Sequence, residues 1–287
     1  MPDLFNGKLV FTQIPQLLRY LPVTLELTVA AGVIGLLLGF VIALIRVKRT
    51  PVLYQISTVY ISVLRGTPII VQLYISYFGI PIFLKYLNYW NGTNWDINSV
   101  PPVLFAILAL AFNQSAFMAE VIRAAITAVD PGQLEAARSL GMSASQVRRR
   151  VILPQAGVIA LPGLMNSLIG LIKGTSLAFV CAVVDMTAAG QIMAGSSYRY
   201  FEMYCSLAII YWVITLLLER VGAWLERRLS VPEQAPALRQ VAQTEPEQAQ
   251  PAQTAPARGS VRRLPALNTP GIATLAGTVA KEVVARD

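Results

Sequence analysis

Apolar residues in this chain are gathered into long runs, and polar residues into the short segments that separate them. Five runs are long enough to cross about 30 Å of hydrocarbon as helices. They cover residues 21–45, 69–84, 103–126, 158–184 and 204–225, the second being the lipid-compatible part of a segment that begins near Tyr54. Glu26 alone interrupts the first run, which ends at the basic cluster Arg46-Val47-Lys48-Arg49 ahead of Pro51. The connection over residues 88–99 carries Tyr89, Trp90 and Trp95, whose amphipathic rings suit a membrane interface. The pattern predicts an all-α membrane protein with about five transmembrane helices.

Two polar segments stand out against this background. Residues 131–156 form a hydrophilic island between the third and fourth runs, so they should project from the membrane domain as a loop or a pair of surface helices. From Ser230 onward Pro, Ala, Gln and Glu dominate through Pro256, and a weakly apolar stretch follows. Such a segment cannot bury enough apolar surface to offset its ordering entropy. The expected division is a transmembrane domain over residues 1–229 and a disordered cytoplasmic tail over residues 230–287.

Charge placement sets the expected orientation. The segments after the first, third and fifth runs hold Arg46, Lys48, Arg49, Arg138, Arg148, Arg149, Arg150, Arg227 and Arg228, against Lys8, Arg19, Lys85 and Arg199 on the other side. Lys and Arg gather on the cytoplasmic side of membrane proteins. The N-terminus is therefore expected outside, and the polar island and the C-terminus in the cytoplasm.

Composition agrees. Of 287 residues 55% are hydrophobic and only 13% charged, against about 45–50% and about 25% in soluble domains. The net charge of +8 sits at the ends of apolar runs, so it marks orientation rather than a nucleic-acid partner. The chain has no His, which excludes His-based metal sites and His general bases. Cys181 and Cys205 lie within or beside apolar runs without metal-ligand spacing, and read as small hydrophobes rather than a disulfide. No catalytic residue and no bound metal are expected. The first run is too long for a secretory leader and lacks a basic one before it, so it should remain as a span.

Local chemistry predicts two short helices in the island. Asp130 can cap the first, Pro131 suits its first position, and Gln133 follows the cap by three residues as in a capping box. Gly141 is placed to end that helix in a left-handed conformation. Ser143 and Gln146 repeat the capping signature for a second helix, and Pro154 is expected to restart the chain towards the membrane.

The order Glu135-Ala136-Ala137, three residues, Gly141, then about ten residues to Leu153-Pro154 resembles the EAA loop of the permease subunits of binding-protein-dependent ABC importers. Val151 stands where Ile is usual. Leu64-Arg65-Gly66-Thr67-Pro68 followed by Val71-Gln72-Leu73 is similar to the string near the start of the second span in permeases for polar amino acids. Ser115 to Arg123 matches a further motif, with Phe117 in place of the usual Tyr, and Leu161-Pro162 with Lys173-Gly174-Thr175-Ser176-Leu177 a fourth. The resemblance spans roughly residues 15–225 and points to the polar amino-acid branch. Gly174 replaces the Asp common between Lys and Thr, which removes an intramembrane carboxylate and weakens any carry-over of a cation-preferring site.

The resemblance implies a bacterial inner-membrane, multi-pass subunit that moves amino acids. It also implies a cytoplasmic ABC ATPase dimer, an extracytoplasmic solute-binding protein and a second permease subunit, identical or related, because five spans are too few to enclose a path. The ATPase would grip the loop, assigning docking to Glu135, Ala136, Ala137, Gly141, Leu153 and Pro154. The chain contains no Gly-x-x-x-x-Gly-Lys-Ser/Thr loop, so ATP is expected on the partner ATPase and no cofactor on this chain.

Inside the spans, Thr67, Gln72, Asn113, Gln114, Lys173, Thr175 and Ser176 are candidates for the translocation path; the plain alternative for the neutral ones is interhelical hydrogen bonding. Glu120 and Arg123 share a helical face and can pair, and with Arg65 they read as structural or coupling charges. Lys173 and Asp185 lie in or at the end of the fourth run, Lys173 about midway along its apolar stretch, and should face a cavity or a partner. Two other classes fit parts of the pattern. A proton-coupled secondary transporter could use Glu120 or Asp185 but needs no docking loop and usually shows internal repeats, which are not seen here. A membrane scaffold would explain the tail and the basic segments without a path.

Overall fold

The structure, a computed structural model, describes residues 5–96 and 99–229. Residues 230–287, assigned above to a tail, lie outside the described residues.

The described residues contain helices and no strand. A short helix, α1 (Gly7–Leu18), comes first; Asn6 caps it, its Oδ1 accepting from the amides of Lys8 and Leu9 at 3.1 and 3.4 Å. Sequence reasoning missed α1, because a 12-residue amphipathic helix holding Pro15 leaves no long apolar run. The signal was there: an Asn cap followed by Val10, Ile14 and Leu17 on one face. The first long helix, α2 (Leu21–Lys48), turns at Arg49 in a left-handed conformation, φ 50°.

The second span is broken, as a Gly-Thr-Pro string inside an apolar run requires. Helix α3 (Leu53–Gly66) stops before Pro68, which cannot donate to the α3 carbonyls and starts α4 (Ile69–Tyr74). A π-turn at Ile75–Gly79 leads into α5 (Ile80–Asn91). This segment exposes Ile75, Phe78, Ile82 and Phe83, as a lipid-facing or subunit-facing surface would.

The third span, α6 (Pro102–Thr127), is the most buried of the five. It owes that position to α2, which presents Gly32, Gly35, Gly39 and Ala43 as a buried stripe. Small residues let two backbones approach closely in a membrane, where dispersion rather than hydrophobic expulsion drives helix association. The fit is tight: a methyl group on Gly39 would lie 3.0 Å from the Ser115 carbonyl oxygen and 3.1 Å from the Ala119 amide nitrogen. Leu27, Ala31, Leu73, Leu110, Leu171 and Cys181 fill the core where α2, α4, α6 and the fourth span meet. Cys181 and Cys205 are both free thiols, Cys181 fully buried.

The polar island folds into α7 (Pro131–Ser139) and α8 (Ala144–Val147). One expectation is corrected here. Pro154 does not restart the chain: α8 runs through a π-turn at Arg148–Ile152 directly into α9 (Leu153–Gly174), and a 3-10 turn carries the rod on to Cys181. Pro154 lacks an amide hydrogen, so the ladder widens to a π-turn instead of breaking. The fourth span thus begins earlier than residue 158. It ends before residue 184, at Ala182, which is left-handed with φ 58°. A further helix, α10 (Met186–Ser197), precedes the fifth span, α11 (Tyr200–Leu229), and packs with α1 against it around Leu17, Met186, Met203 and Leu207.

Candidate functional site

Breaking the second span exposes carbonyls that lipid cannot satisfy, and two side-chain amides take them up. Gln72 donates from Nε2 to the carbonyl oxygens of Leu64 (2.9 Å) and Thr67 (3.1 Å) and to Thr67 Oγ1 (2.8 Å). Asn113, from α6, donates from Nδ2 to the Leu64 carbonyl at 3.2 Å and to Gln72 Oε1 at 3.1 Å. Thr67, Gln72 and Asn113 are therefore brought together as a network that holds the break. The hydroxyls of Thr175 and Ser176 donate back to Ile172 and Lys173 carbonyls, each at 2.7 Å, and the Thr175 hydroxyl also meets Tyr211 of the fifth span.

Gln114 differs. It is 5% exposed, yet its Nε2 has no hydrogen-bond partner. With Asn113, Phe117, Asn166, Ser167 and Gly174 it lines a cavity of about 530 Å³ between α6 and α9. Asn166 and Ser167 escaped the sequence reading, although two adjacent polar residues in an apolar run are themselves a signal. A larger cavity, about 680 Å³, runs along the break itself, lined by Leu64, Thr67, Val71, Gln72, Ile75 and Phe83 among others; its surface is mostly apolar, although Thr67 and Gln72, two of the path candidates, line it.

Lys173 lies in the last turn of α9, exposed, next to the cavity-lining Gly174, and the rod continues beyond it as a 3-10 turn to Cys181. It does not hold Asp185. That residue, between the fourth and fifth spans, caps α10 by accepting from the Ala188 amide at 2.9 Å. Burial pushes the Asp185 carboxyl above the usual carboxylate range, opposed by the amides of Ala188 and Thr187.

The charged groups near the island end form a triad rather than the expected pair. Arg123 donates from Nε and Nη2 to Glu120 Oε2 at 3.0 and 2.9 Å, and Arg46 of α2 binds Glu120 Oε1. Arg46 also lies over the Tyr54 ring, 5.6 Å from its centroid, linking α2, α6 and the start of α3. Arg65 stays apart, over the Phe117 ring at 5.2 Å. Removing the shared carboxylate strands two guanidinium groups, at a cost of about 1–3 kcal/mol. Glu120→Gln is accordingly expected to lower the melting temperature of the detergent-solubilised protein by several degrees; an unchanged melting curve would show that the triad is incidental.

The α7–α8 hairpin is built as its residues dictate. Asp130 accepts from the Gly132 amide at 2.8 Å, and Ser143 and Gln146 form both halves of a capping box, at 2.8 and 3.3 Å. Gln133 does not complete the first box but pairs with Gln155 of α9. Gly141 is left-handed, φ 80°, and α7 closes with bonds from Gly141 N to the Arg138 carbonyl (2.9 Å) and from Met142 N to the Ala137 carbonyl (3.2 Å). Glu135, Ala136, Leu153 and Pro154 are exposed, but Ala137 is turned inward at 5% exposure. Leu140, 83% exposed at the hairpin tip, is a large apolar side chain that the sequence alone did not single out.

Five spans, a broken second helix held by side-chain amides, a cavity lined by Asn113, Gln114, Asn166 and Ser167, and a capped hairpin define a polytopic transport permease. Residues 35–231 match the family described as the inner membrane component of binding-protein-dependent transport systems. The chain is 41% identical to the probable amino-acid ABC transporter permease protein PatM of Vibrio harveyi, over 79% of this chain and 97% of that one. It is 39% identical to the L-cystine transport system permease protein TcyL of Bacillus subtilis, over 80% and 93%. The crystal structure of an amino acid ABC transporter with histidines superposes with a TM-score of 0.65 at 38% identity, over 78% of this chain and 99% of that chain. The chain belongs to the family of binding-protein-dependent transport system inner-membrane components. It is a multi-pass inner-membrane permease rather than an enzyme, and membership implies an ATPase and a substrate-binding protein as partners in general.

Proposed function

We propose that this chain is the transmembrane permease subunit of an ATP-driven importer of amino acids. The observation that carries the reading is the doubly capped α7–α8 hairpin, with Leu140 and Glu135 exposed, in a chain whose relatives are named amino-acid permeases. A dimer of ABC ATPases grips the hairpin from the cytoplasm, binds and hydrolyses the ATP, and rocks the spans. A solute-binding protein delivers the amino acid from outside, where the N-terminus lies. Two permease subunits, identical or related, enclose the path, and access alternates between the two faces.

The test is reconstitution into proteoliposomes with the candidate ATPase and binding protein. Uptake of labelled amino acids that requires ATP inside and the binding protein outside supports the reading. Uptake driven by a proton gradient without the ATPase would establish a secondary transporter instead.

Lys173 offers a finer check. It is exposed in the last turn of α9, and a lipid-facing Lys at mid-membrane would cost about 2.5–3.5 kcal/mol, so it faces the path or the second subunit. Lys173→Met keeps the apolar stem and is expected to lower uptake about tenfold, the effect of losing one contact of about 1.4 kcal/mol. The amount of protein in the membrane should not change. Normal uptake by this variant would remove Lys173 from the path.

A further inference from the structure

We infer that the turn between α2 and α3 binds an anionic phospholipid, with its phosphate held by Lys48 and Arg49 and one acyl chain laid along the exposed face of α3. Such a site does not depend on which solute the chain moves.

The turn presents charge without a counter-charge. Helix α2 ends at Arg49 in a left-handed conformation, and Val52, at φ 65°, turns the chain again so that the Leu53 amide donates to the Pro51 carbonyl at 2.7 Å. Between these two reversals lies a cavity of about 490 Å³, lined by Arg49, Pro51, Val52, Tyr54 and Gln55. Lys48 and Arg49 are exposed, and among the described residues neither pairs with a carboxylate. The sequence has no Asp or Glu between Glu26 and Asp96. Glu120, which Arg46 brings to this end of α2, is already shared between Arg46 and Arg123. The Arg46 guanidinium is thereby committed, and by lying over the Tyr54 ring it steadies one wall of the cavity.

Two uncompensated cations at the end of a span favour a ligand of net negative charge, and a guanidinium meets phosphate oxygens with two parallel donors. Tyr54 and Gln55 add a hydroxyl and an amide for the glycerol hydroxyls of a phosphatidylglycerol headgroup. A zwitterionic headgroup brings its own ammonium into the same field and loses the advantage.

The lining alone would suit free phosphate equally well; the face of α3 below it assigns a lipid. Ser57 and Ile61 are buried, Ile61 against Ala116 and Ala119 of α6. Ile56, Val59 and Val63 form the opposite face, 59%, 62% and 54% exposed, and Val52 stands above them at the cavity. From Leu53 to Val63 the helix rises about 15 Å, half of a hydrocarbon core of about 30 Å. An apolar track one leaflet deep, starting at a cationic cavity, matches head and chain of one molecule, and basic pockets at the ends of spans take anionic headgroups in this way.

The experiment counts lipids on the purified full-length protein by native mass spectrometry during titration with phosphatidylglycerol or phosphatidylethanolamine. Phosphatidylglycerol is expected to bind about tenfold or more tightly, since each cation beside an anionic headgroup is worth about fivefold. Lys48→Gln with Arg49→Gln should remove most of that preference. Gln55→Glu keeps both cations but adds a carboxylate to the lining, and should weaken phosphatidylglycerol about fivefold with phosphatidylethanolamine unchanged. If the double variant does not insert, Gln55→Glu decides alone. Arg148→Gln with Arg149→Gln removes as much charge elsewhere and should leave the preference within about twofold. Inorganic phosphate, which gains nothing from the α3 face, should displace the lipid only in large excess. Equal binding of the two lipids overturns the inference, as does phosphatidylglycerol binding untouched by Gln55→Glu. A preference lowered as much by the Arg148 and Arg149 changes as by those at Lys48 and Arg49 overturns it in favour of overall charge. Displacement by phosphate at concentrations comparable to the lipid overturns it in favour of a soluble-anion site.

Discussion

Gly141→Val is expected to abolish capture of the ATPase while the spans still insert in the membrane. Gly141 has φ 80° and no atom within 4 Å of an added Cβ, so the defect is purely one of backbone. A residue with a side chain costs about 1–2 kcal/mol in the left-handed region, and a β-branched one more. Two closing bonds depend on that conformation, from Gly141 to Arg138 and from Met142 to Ala137. With them gone α7 loses its end, and Leu140 leaves its place at the tip. Pull-down from solubilised membranes should recover about a tenth or less of the ATPase, as a loss of 1.4 kcal/mol or more predicts. Gly141→Asn, which tolerates φ above zero, should recover most of it. ATPase recovery by Gly141→Val equal to the unaltered protein would show that the hairpin is not the docking element.

Gly39→Leu should act in the opposite place, on assembly of the bundle. Its Cβ alone would crowd the Ser115 carbonyl, the Ala119 amide and Met118 Cβ at 3.0–3.1 Å, and all three belong to a rigid helix face. Either α2 separates from α6 or both helices shift; overpacking of this kind costs about 1–3 kcal/mol and more when backbone is met. Separation would also move Ser115, whose Oγ lies 2.7 Å from the Tyr60 hydroxyl and ties α3 to α6. Membrane abundance should fall severalfold, and the remaining protein should melt well below the unaltered one. Gly66→Leu, in open space outside that seam, is the control. Normal abundance and melting of Gly39→Leu would mean that α2 and α6 can part without cost.

How far the sequence disclosed this architecture depends on the length over which each signal was spread. The five spans were legible because each is written in some twenty positions of apolar character. The break in the second span was legible because Arg65, Gly66, Thr67 and Pro68 together cannot continue a lipid-facing helix. Helix α10 was not. Met186–Ser197 is composed mostly of Ala, Gly, Ser, Thr and Met with little contrast between faces, and its cap, Asp185, reads in the sequence as an ionisable group in or at the end of the fourth run. In the candidate site, the Glu120–Arg123 pair could be foreseen because helical geometry fixes neighbours three residues apart. Its third member, Arg46, could not, since that contact depends on how α2 lies on α6. The same reason hid the division of labour between Asn113 and Gln114. Adjacent in sequence, they lie on different faces of α6: the Asn113 amide meets Leu64 and Gln72, and the Gln114 Nε2 meets no partner.

The uninterrupted helix from Ala144 to Cys181 makes the hairpin and the cavity two ends of one lever. At about 1.5 Å per residue, Val147 and Asn166 lie about 29 Å apart along it. No loop between them can absorb a displacement. A tilt imposed at the hairpin is therefore expected to arrive at Asn166, Ser167 and Gly174 as a change in the width of the cavity. Stiffness between those two ends, rather than contact between them, is then what coupling demands of the chain.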